Sequence, residues 1–275
     1  MNRIAHAFQA LRSHRDRGLI CLAMAGDPDP ARSLEYFLAL ARGGADLIFV
    51  GVPFSNSIAA ESQLRAAALR ALSAHATCET AFSLVESLRR QVQVPLVLVS
   101  DYNPVFRYGE ARFAERCAMA GADGFIALDL PMEEAQQLSQ CAQGAGVDMA
   151  LMVTPHTPAQ RLERIAKASR GFLYLSAACK GAGGQTLDAK IVAFIQRVRA
   201  VAGDMPLAIE AGLADPEQVR AALEAGADAA VVGAALVKEV SRGILPPLLQ
   251  DRVRFFKVAT HPRVSPVSSG PVPPT

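Results

Sequence analysis

Residues 44–51 read GADLIFVG, a Gly-Ala-Asp triplet that runs directly into an apolar stretch. The triplet recurs at 121–123 before GFIALDLP and at 226–228 before AAVVGAA, and a looser copy spans 144–148 before MALMVTP. Glycine supplies the left-handed conformation that ends many helices, and an uninterrupted apolar run is typical of a strand covered on both faces. Each copy therefore predicts the end of a helix, a short link and a buried strand of a parallel sheet.

Apolar runs of this kind occur eight times along the chain, and helical patterns such as Pro30–Arg42, Glu79–Val92 and Pro216–Ala225 separate them. The predicted strands are Leu19–Met24, Leu47–Gly51, Leu96–Ser100, Gly124–Leu128, Met149–Val153, Phe172–Leu175, Leu207–Ala211 and Ala230–Gly233. Eight strand–helix units within about 250 residues predict a single-domain α/β fold, the (β/α)8 TIM barrel.

An open doubly wound sheet is the alternative fold, and the lack of a GxGxxG motif after the first strand weakens its dinucleotide-binding form. No change in composition divides the chain before its end, so we assign residues 1–260 to one barrel domain. Residues 261–275 are rich in proline and serine without an apolar period, which predicts a disordered tail.

The composition excludes several classes of protein. A hydrophobic fraction of 51% argues against a disordered chain, and a net charge of +2 gives no reason to expect binding to nucleic acid or to a membrane surface. No apolar run is long enough for a membrane span, and the N-terminus has helical spacing rather than the block of a signal peptide. The five cysteines are widely spaced and form no CxxC motif, which favours reduced thiols in a cytoplasmic protein without metal.

Catalytic groups of a barrel lie at the C-terminal ends of its strands, and several of these ends carry a recognisable pattern. Strand two continues as GVPFSNSIAAES, strand one ends in Gly26-Asp27-Pro28, and strand four ends in Asp129-Leu130-Pro131. In these motifs, and over most of the chain, the sequence resembles the tryptophan synthase α subunit family. The resemblance implies a barrel that cleaves indole-3-glycerol phosphate to indole and glyceraldehyde 3-phosphate, that can bind a β subunit, and for which we expect no cofactor.

The same resemblance exposes what is missing. In the family, an acid on strand two exchanges a proton with an indole ring carbon, and an acid in the following loop binds the indole nitrogen; these positions hold Phe49 and Ala60. The threonine that closes over the loop acid falls on Ala182. Because loss of a general acid–base group costs about a hundred- to ten-thousand-fold in rate, we expect the family reaction to be lost.

Other residues are candidates for a changed site. Asp101 stands where the family has an aromatic residue, Glu210 ends strand seven, and Glu61 follows Ala60. The predicted substrate pocket consists of Leu22, Phe49, Asp101, Leu128 and Tyr174. A phosphate cradle is predicted at Gly183, Gly184, Gly212, Gly233 and Ala234, although the glycines also suit tight turns and the serine expected by the resemblance is replaced at Ala234.

Three hypotheses follow. The first is a non-catalytic or regulatory relative that binds a tryptophan synthase β subunit; Pro53 of the partner-facing loop is retained, whereas Asn56 and Ser57 replace its usual Asp-Pro. The second is an altered enzyme that uses Asp101 and Glu210 on another phosphorylated aromatic substrate. The third is residual family lyase activity, in which case the new acids are ordinary solvated carboxylates.

Overall fold

The structure is a computed structural model that describes residues 2–58, 60–177 and 187–262. Its strands are β1 (Gly18–Met24), β2 (Leu47–Gly51), β3 (Leu96–Ser100), β4 (Gly124–Ala127), β5 (Asp148–Met149), β6 (Leu151–Val153), β7 (Leu173–Ser176), β8 (Leu207–Glu210) and β9 (Ala229–Val232). They are parallel and hydrogen-bonded in the order β5-β4-β3-β2-β1-β9-β8-β7-β6. The strands form a nearly closed barrel, which confirms the predicted single-domain (β/α)8 fold.

Helices cover the outside of this sheet. They are α1 (Arg3–Ser13), α2 (Pro30–Arg42), α3 (Ser62–Ser73), α4 (Cys78–Arg89), α5 (Tyr102–Tyr108), α6 (Glu110–Ala120), α7 (Gln136–Ala145), α8 (Ala159–Ala168), α9 (Ala189–Ala202), α10 (Pro216–Glu224), α11 (Ala234–Ser241) and α12 (Pro246–Lys257). A 3-10 turn, Val258–Thr260, follows the last helix. No helix in the described ranges is long and apolar enough to cross a membrane.

The fifth strand position differs from the sequence-based prediction of one strand over Met149–Val153. It is split into β5 and β6 because the chain changes hydrogen-bonding partner at Ala150. The Ala150 amide donates to the Phe125 carbonyl of β4, whereas Leu151 is already in register with Leu173 of β7. The two short segments therefore occupy one strand position of the barrel.

The glycines of the repeated triplet end helices as predicted. Gly121 and Gly146 are left-handed caps of α6 and α7, and Gly44 and Gly226 have φ angles of +99° and +117°. Asp215 caps α10 by accepting a hydrogen bond from the Gln218 amide at 2.9 Å. These local signals are strong because few residues other than glycine tolerate a positive φ angle.

The aspartate of each triplet has a second role that the sequence reading did not identify. Asp46 precedes β2, and its Oδ2 accepts a hydrogen bond from the Leu19 amide of the neighbouring strand at 2.6 Å. Lys257 forms an ion pair with the same oxygen, also at 2.6 Å. The carboxylate thus satisfies a backbone donor at the N-terminal end of the barrel, and its own charge is paired.

Asp123 and Asp228 repeat this arrangement before β4 and β9. Asp123 accepts from the Leu96 amide at 2.8 Å and pairs with Arg89 at 2.6 Å. Asp228 accepts from the Leu207 amide at 2.9 Å, and it pairs with Arg199 and with a second arginine from the start of β1. The glycine of the triplet therefore ends a helix, and its aspartate binds a neighbouring strand at the N-terminal end of the barrel.

Candidate functional site

A column of aromatic rings runs along the interior of the barrel and supports the site from below. Phe8 of α1 lies 6.1 Å from Phe172, measured between ring centroids. Phe172 stacks on Phe49 at 5.7 Å, and Phe49 meets the edge of Tyr174 at 6.0 Å. Such aromatic pairs contribute packing and geometric order beyond the apolar area they bury. The column links the helix at the N-terminal end to the mouth of the barrel.

Phe49 is a central member of this column. Its side chain is fully buried, and its strand position pairs with Leu22 of β1 and Val97 of β3. The position at which the resemblance predicts a strand acid is therefore filled by a phenylalanine ring packed against other rings. Phe49 lies in the packed interior, and it is not among the residues that line the cavity at the mouth.

Above the column, the C-terminal ends of the strands surround a small cavity of about 40 Å³. Four of the five residues predicted to form the substrate pocket line it, and Ala60 and Glu210 join them. The four are Leu22, Asp101, Leu128 and Tyr174. Most of the remaining wall is aliphatic or aromatic, as is usual for small-molecule sites. The structure thus brings together side chains from β1, β3, β7, β8 and the loops that follow β2 and β4.

Glu210 is the most strongly perturbed group in this cavity. It is 8% exposed, and the Tyr174 hydroxyl donates a short hydrogen bond to its Oε2. Burial raises the pKa of Glu210 to about 7, opposed by the Tyr174 hydrogen bond and reinforced by the charge of Glu61. Burial, followed by the charge of Glu210, raises the pKa of Tyr174 well above its ordinary value. Glu210 can therefore exchange a proton near neutral pH while Tyr174 remains a hydrogen-bond donor.

Asp101 forms the second polar group of the cavity. It is 5% exposed, and the Ser57 hydroxyl donates to its Oδ1 at 2.9 Å. Burial raises the pKa of Asp101, the Ser57 hydrogen bond opposes this, and the charge of Asp129 adds to it. Ser57 and Asp101 both depart from the family pattern, and they touch. The sequence could have suggested this pair only as two unexplained departures, since the residues lie 44 positions apart.

Glu61 and Arg65 complete the charged surroundings. Glu61 stands at the N-cap of α3, but its side chain makes no capping hydrogen bond. Burial raises the pKa of Glu61, and its charge influences both Glu210 and Tyr174. Arg65 lines the cavity and is exposed to solvent. The loop after β2 therefore brings a carboxyl group to the cavity, although Ala60 itself has none.

The described residues of the predicted phosphate cradle, Gly212, Gly233 and Ala234, are not among the residues that line the cavity. Gly212 has a φ angle of +64°, and Gly233 is the N-cap of α11, whose first residue is Ala234. A Cβ atom at Gly233 would lie 3.1–3.3 Å from the Leu22 side chain, so close packing alone favours glycine there. The predicted residues Gly183 and Gly184 lie outside the described ranges, as does Ala182 of the same loop.

Asp27 has a different role from the one its sequence position suggests. The motif predicts either a cap for the next helix or a ligand contact, but Asp29 caps α2. Both carboxylate oxygens of Asp27 accept hydrogen bonds from Arg70 of α3, each at 2.8 Å. Of the two alternatives for Asp27, the helix cap is therefore excluded, since Asp29 occupies that position.

A parallel barrel with a partly polar cavity at the C-terminal ends of its strands has the architecture of the (β/α)8 barrel enzymes. Residues 8–254 match the family model described as "Tryptophan synthase alpha chain". The chain belongs to the tryptophan synthase α chain family.

Relatives and solved structures agree with this assignment. The α chain of Prochlorococcus marinus strain MIT 9313 is 37% identical over 255 residues, which cover 92% of each chain. Tryptophan synthase from M. tuberculosis superposes with a TM-score of 0.86 at 28% identity, covering 95% of this chain and 100% of that one. The tryptophan synthase complex of Pyrococcus furiosus gives a TM-score of 0.81 at 30% identity, covering 88% and 98%.

Proposed function

We propose that this protein is an altered enzyme of the tryptophan synthase α chain family, in which Glu210 performs acid–base chemistry on an aromatic substrate. The observation that carries the proposal is the Glu210 carboxyl group, which lies in a cavity at the mouth with a pKa raised to about 7. A general acid or base works best when its pKa lies near the working pH. Perturbed carboxyl groups in clefts are candidates for function for the same reason.

Loss of the family cleavage is part of the proposal. Phe49 cannot carry a proton, and it is fully buried against the rings of Phe172 and Tyr174. Glu210 lies on β8, and the Tyr174 hydroxyl of the column donates a hydrogen bond to it. The new acid therefore reaches a substrate from a different strand, which supports chemistry other than the family reaction.

An indole-release assay tests the loss of cleavage. Purified protein is incubated with indole-3-glycerol phosphate beside the Prochlorococcus α chain, and we expect a rate at least about a hundredfold lower. A rate within tenfold of the relative contradicts this part of the proposal.

Proton transfer by Glu210 is tested separately. Indole and substituted indoles are incubated in deuterated buffer, and exchange of ring C–H positions is followed by NMR. We expect the protein to accelerate exchange in at least one of these compounds, and Glu210→Gln to lose at least about a hundredfold of that acceleration. Equal exchange by the wild type and Glu210→Gln removes Glu210 from the mechanism.

A second function is favoured by two exposed apolar side chains at the mouth. Ile58, after β2, is 86% exposed, and Phe106, after β3, is 64% exposed. Large apolar side chains on one rim suit a protein partner, and the printed title of one similar structure names an α2β2 tryptophan synthase complex. We propose that a tryptophan synthase β subunit binds this rim. Sedimentation of the mixed subunits should show a complex that Ile58→Ser and Phe106→Ser weaken, whereas Met119→Ser, a change at another exposed site, should not.

Two further proposals depend on the family assignment. Backbone amides at the start of α11, beside Gly212 and Gly233, are suited to hold a phosphate group, as the predicted phosphorylated ligand requires. Inorganic phosphate should then raise the melting temperature of the protein, whereas chloride at equal ionic strength should not. We also propose a cytoplasmic location, which fractionation of the native cells can test.

A further inference from the structure

Buried carboxylates elsewhere in this barrel are matched by cations. Asp27 binds Arg70 through both oxygens, and the three triplet aspartates each pair with a lysine or arginine. This is the usual requirement for a buried charge, because an unpaired carboxylate loses its hydration without compensation. The cavity at the mouth does not follow this rule.

Three carboxyl groups around the cavity make no ion pair among the described residues. The Glu210 carboxyl receives a hydrogen bond from the Tyr174 hydroxyl, and Asp101 receives one from Ser57. Glu61 has neither a capping bond nor a cationic partner in the described ranges. Among the described lining residues the cation is Arg65, which is exposed to solvent. Within the part of the chain that the structure describes, the cavity therefore has an excess of acidic groups and no buried counterion.

We infer that this cavity binds the cationic head group of a substrate, an ammonium or amidinium carried on an aromatic or apolar body. The inference rests on the proposed enzymatic function of the same site and names its class of substrate. A cation placed there supplies the missing counterion to Asp101 and Glu210, and its N–H groups can donate to carboxylate oxygens that hydroxyl groups leave free.

The size of the cavity agrees with a head group rather than a whole ring. A volume of about 40 Å³ corresponds to about three water molecules at roughly 10–15 Å³ each. That space admits a few non-hydrogen atoms, such as a methylene and an ammonium. Phe54, Leu64 and Ala68 are apolar members of the lining and provide contacts for an attached body.

An anionic head group is disfavoured at the same place. Bringing a carboxylate or phosphate into contact with Asp101 and Glu210 adds like charges in a poorly solvated space. The predicted phosphate cradle at Gly212, Gly233 and Ala234 is formed by residues that do not line the cavity. A substrate can therefore carry a phosphate elsewhere and still place a cation here.

Cation binding should also depend on pH. The charged or titratable groups that face Glu210 are Tyr174 from β7, Glu61 before α3, Asp101 at the end of β3 and Arg65 on α3. A cation favours the ionised form of Glu210, so binding releases a proton. Because the pKa of free Glu210 is about 7, apparent affinity should rise about tenfold between pH 6 and pH 8.

Three indoles with matched side chains test the inference by titration calorimetry. Tryptamine is a cation at these pH values, tryptophol is neutral and indole-3-acetate is an anion. We expect tryptamine to bind at least about tenfold more tightly than tryptophol, and indole-3-acetate to bind least. The inference is overturned if tryptamine and tryptophol bind with equal affinity, or if tryptophol binds more tightly. It is also overturned if none of the three compounds binds at about 10 mM, on the order of the weakest specific binding.

Variants assign the preference to the cavity. Glu210→Gln and Asp101→Asn keep the side-chain shapes and should each reduce the tryptamine preference by at least about fivefold, while the pH effect disappears in Glu210→Gln. The control is Glu224→Gln, which removes one negative charge at the exposed C-terminal end of α10 and should change nothing. Thermal melting of each variant verifies folding. If one of the two cavity variants does not fold, the other still tests the inference.

Failure of this inference is distinguishable from failure of the proposed function. If proton exchange depends on Glu210 but tryptamine is not preferred, the proposed enzymatic function stands and the inference of a cationic substrate fails. A strong preference for tryptamine without proton exchange leaves a cation-binding site that is not catalytic.

Discussion

Two sets of carboxyl groups in this barrel differ in the partners that bind them. At the N-terminal end, Asp46, Asp123 and Asp228 each accept a backbone N–H from a neighbouring strand and bind a cation. At the C-terminal end, Asp101 and Glu210 are also buried, but they form no ion pair among the described residues and receive hydrogen bonds from the hydroxyl groups of Ser57 and Tyr174. Paired charges stabilise a fold, whereas unpaired buried charges cost stability and are retained where they act.

The largest effect is expected from breaking a paired aspartate. Asp123→Ala leaves the Leu96 amide, Arg89 and Arg3 without their shared acceptor. Loss of one partner of a buried pair costs about 3–5 kcal/mol, so urea unfolding should show a fall of that size in the free energy of unfolding.

The matched control for this experiment is Asp251→Ala. Asp251 pairs with Arg254 on the exposed face of α12, where such a pair contributes less than about 1 kcal/mol. If Asp123→Ala and Asp251→Ala lower the free energy of unfolding equally, the buried ion pair of Asp123 contributes no more to stability than an exposed one.

An intermediate effect is expected from Glu210→Gln, which should raise the free energy of unfolding, whereas Asp123→Ala should lower it. Because the pKa of Glu210 is raised from 4.5 to about 7 on folding, its protonated form is the one that the fold favours. The contribution of protonated Glu210 to the free energy of unfolding is fully present below pH 4.5 and is lost as the pH rises through 7. At pH 8, Glu210→Gln should therefore be more stable than the wild type by on the order of 2–3 kcal/mol.

Unfolding measured at pH 5 and pH 8 checks this expectation. The advantage of Glu210→Gln should shrink at pH 5, because the wild-type carboxyl group is then largely protonated in the folded state. A lower stability of Glu210→Gln at pH 8 would show that Glu210 is a structural acid like those at the other end.

The smallest effect is expected from Ser57→Ala. The substitution removes the hydroxyl that donates to Asp101, and a hydrogen bond to a charged group contributes about 1.5–3 kcal/mol. Because this hydrogen bond holds the pKa of Asp101 down, the pKa should rise further, as NMR titration can show. Part of the cost is then relieved by protonation, so we expect a loss of about 1 kcal/mol at pH 7. Ser55→Ala, at an exposed serine of the same loop, should change neither quantity.

Several predictions from sequence were confirmed because their causes are local. The eight strand positions, the helix Pro30–Arg42 and the glycine stops each depend on a few adjacent residues. The family assignment was also available, since the motifs around Pro53 and Asp129 are contiguous. Strand ends moved by at most one residue, and the fifth strand was divided at Ala150, where hydrogen bonding to two neighbouring strands decides the boundary.

The candidate site was predictable as a set of residues but not as an arrangement. The sequence indicated that Asp101 and Glu210 lie at strand ends, and the barrel explains why they converge on one cavity. It did not indicate that Ser57 contacts Asp101 or that Arg70 binds Asp27. Those contacts join segments far apart in the chain, and only the packing of the loops decides them.

The sequence alone determined which positions can carry a proton: Phe49 and Ala60 cannot, and Glu61, Asp101 and Glu210 can. The tertiary structure decided which of these acids are desolvated and which buried acids have a cation, because burial and counterions depend on residues brought together from different strands. Ionisability belongs to a side chain by itself, whereas its pKa belongs to its surroundings. For that reason two acids of one barrel differ: Asp123 is paired with arginine, whereas burial raises the pKa of Glu210 to about 7.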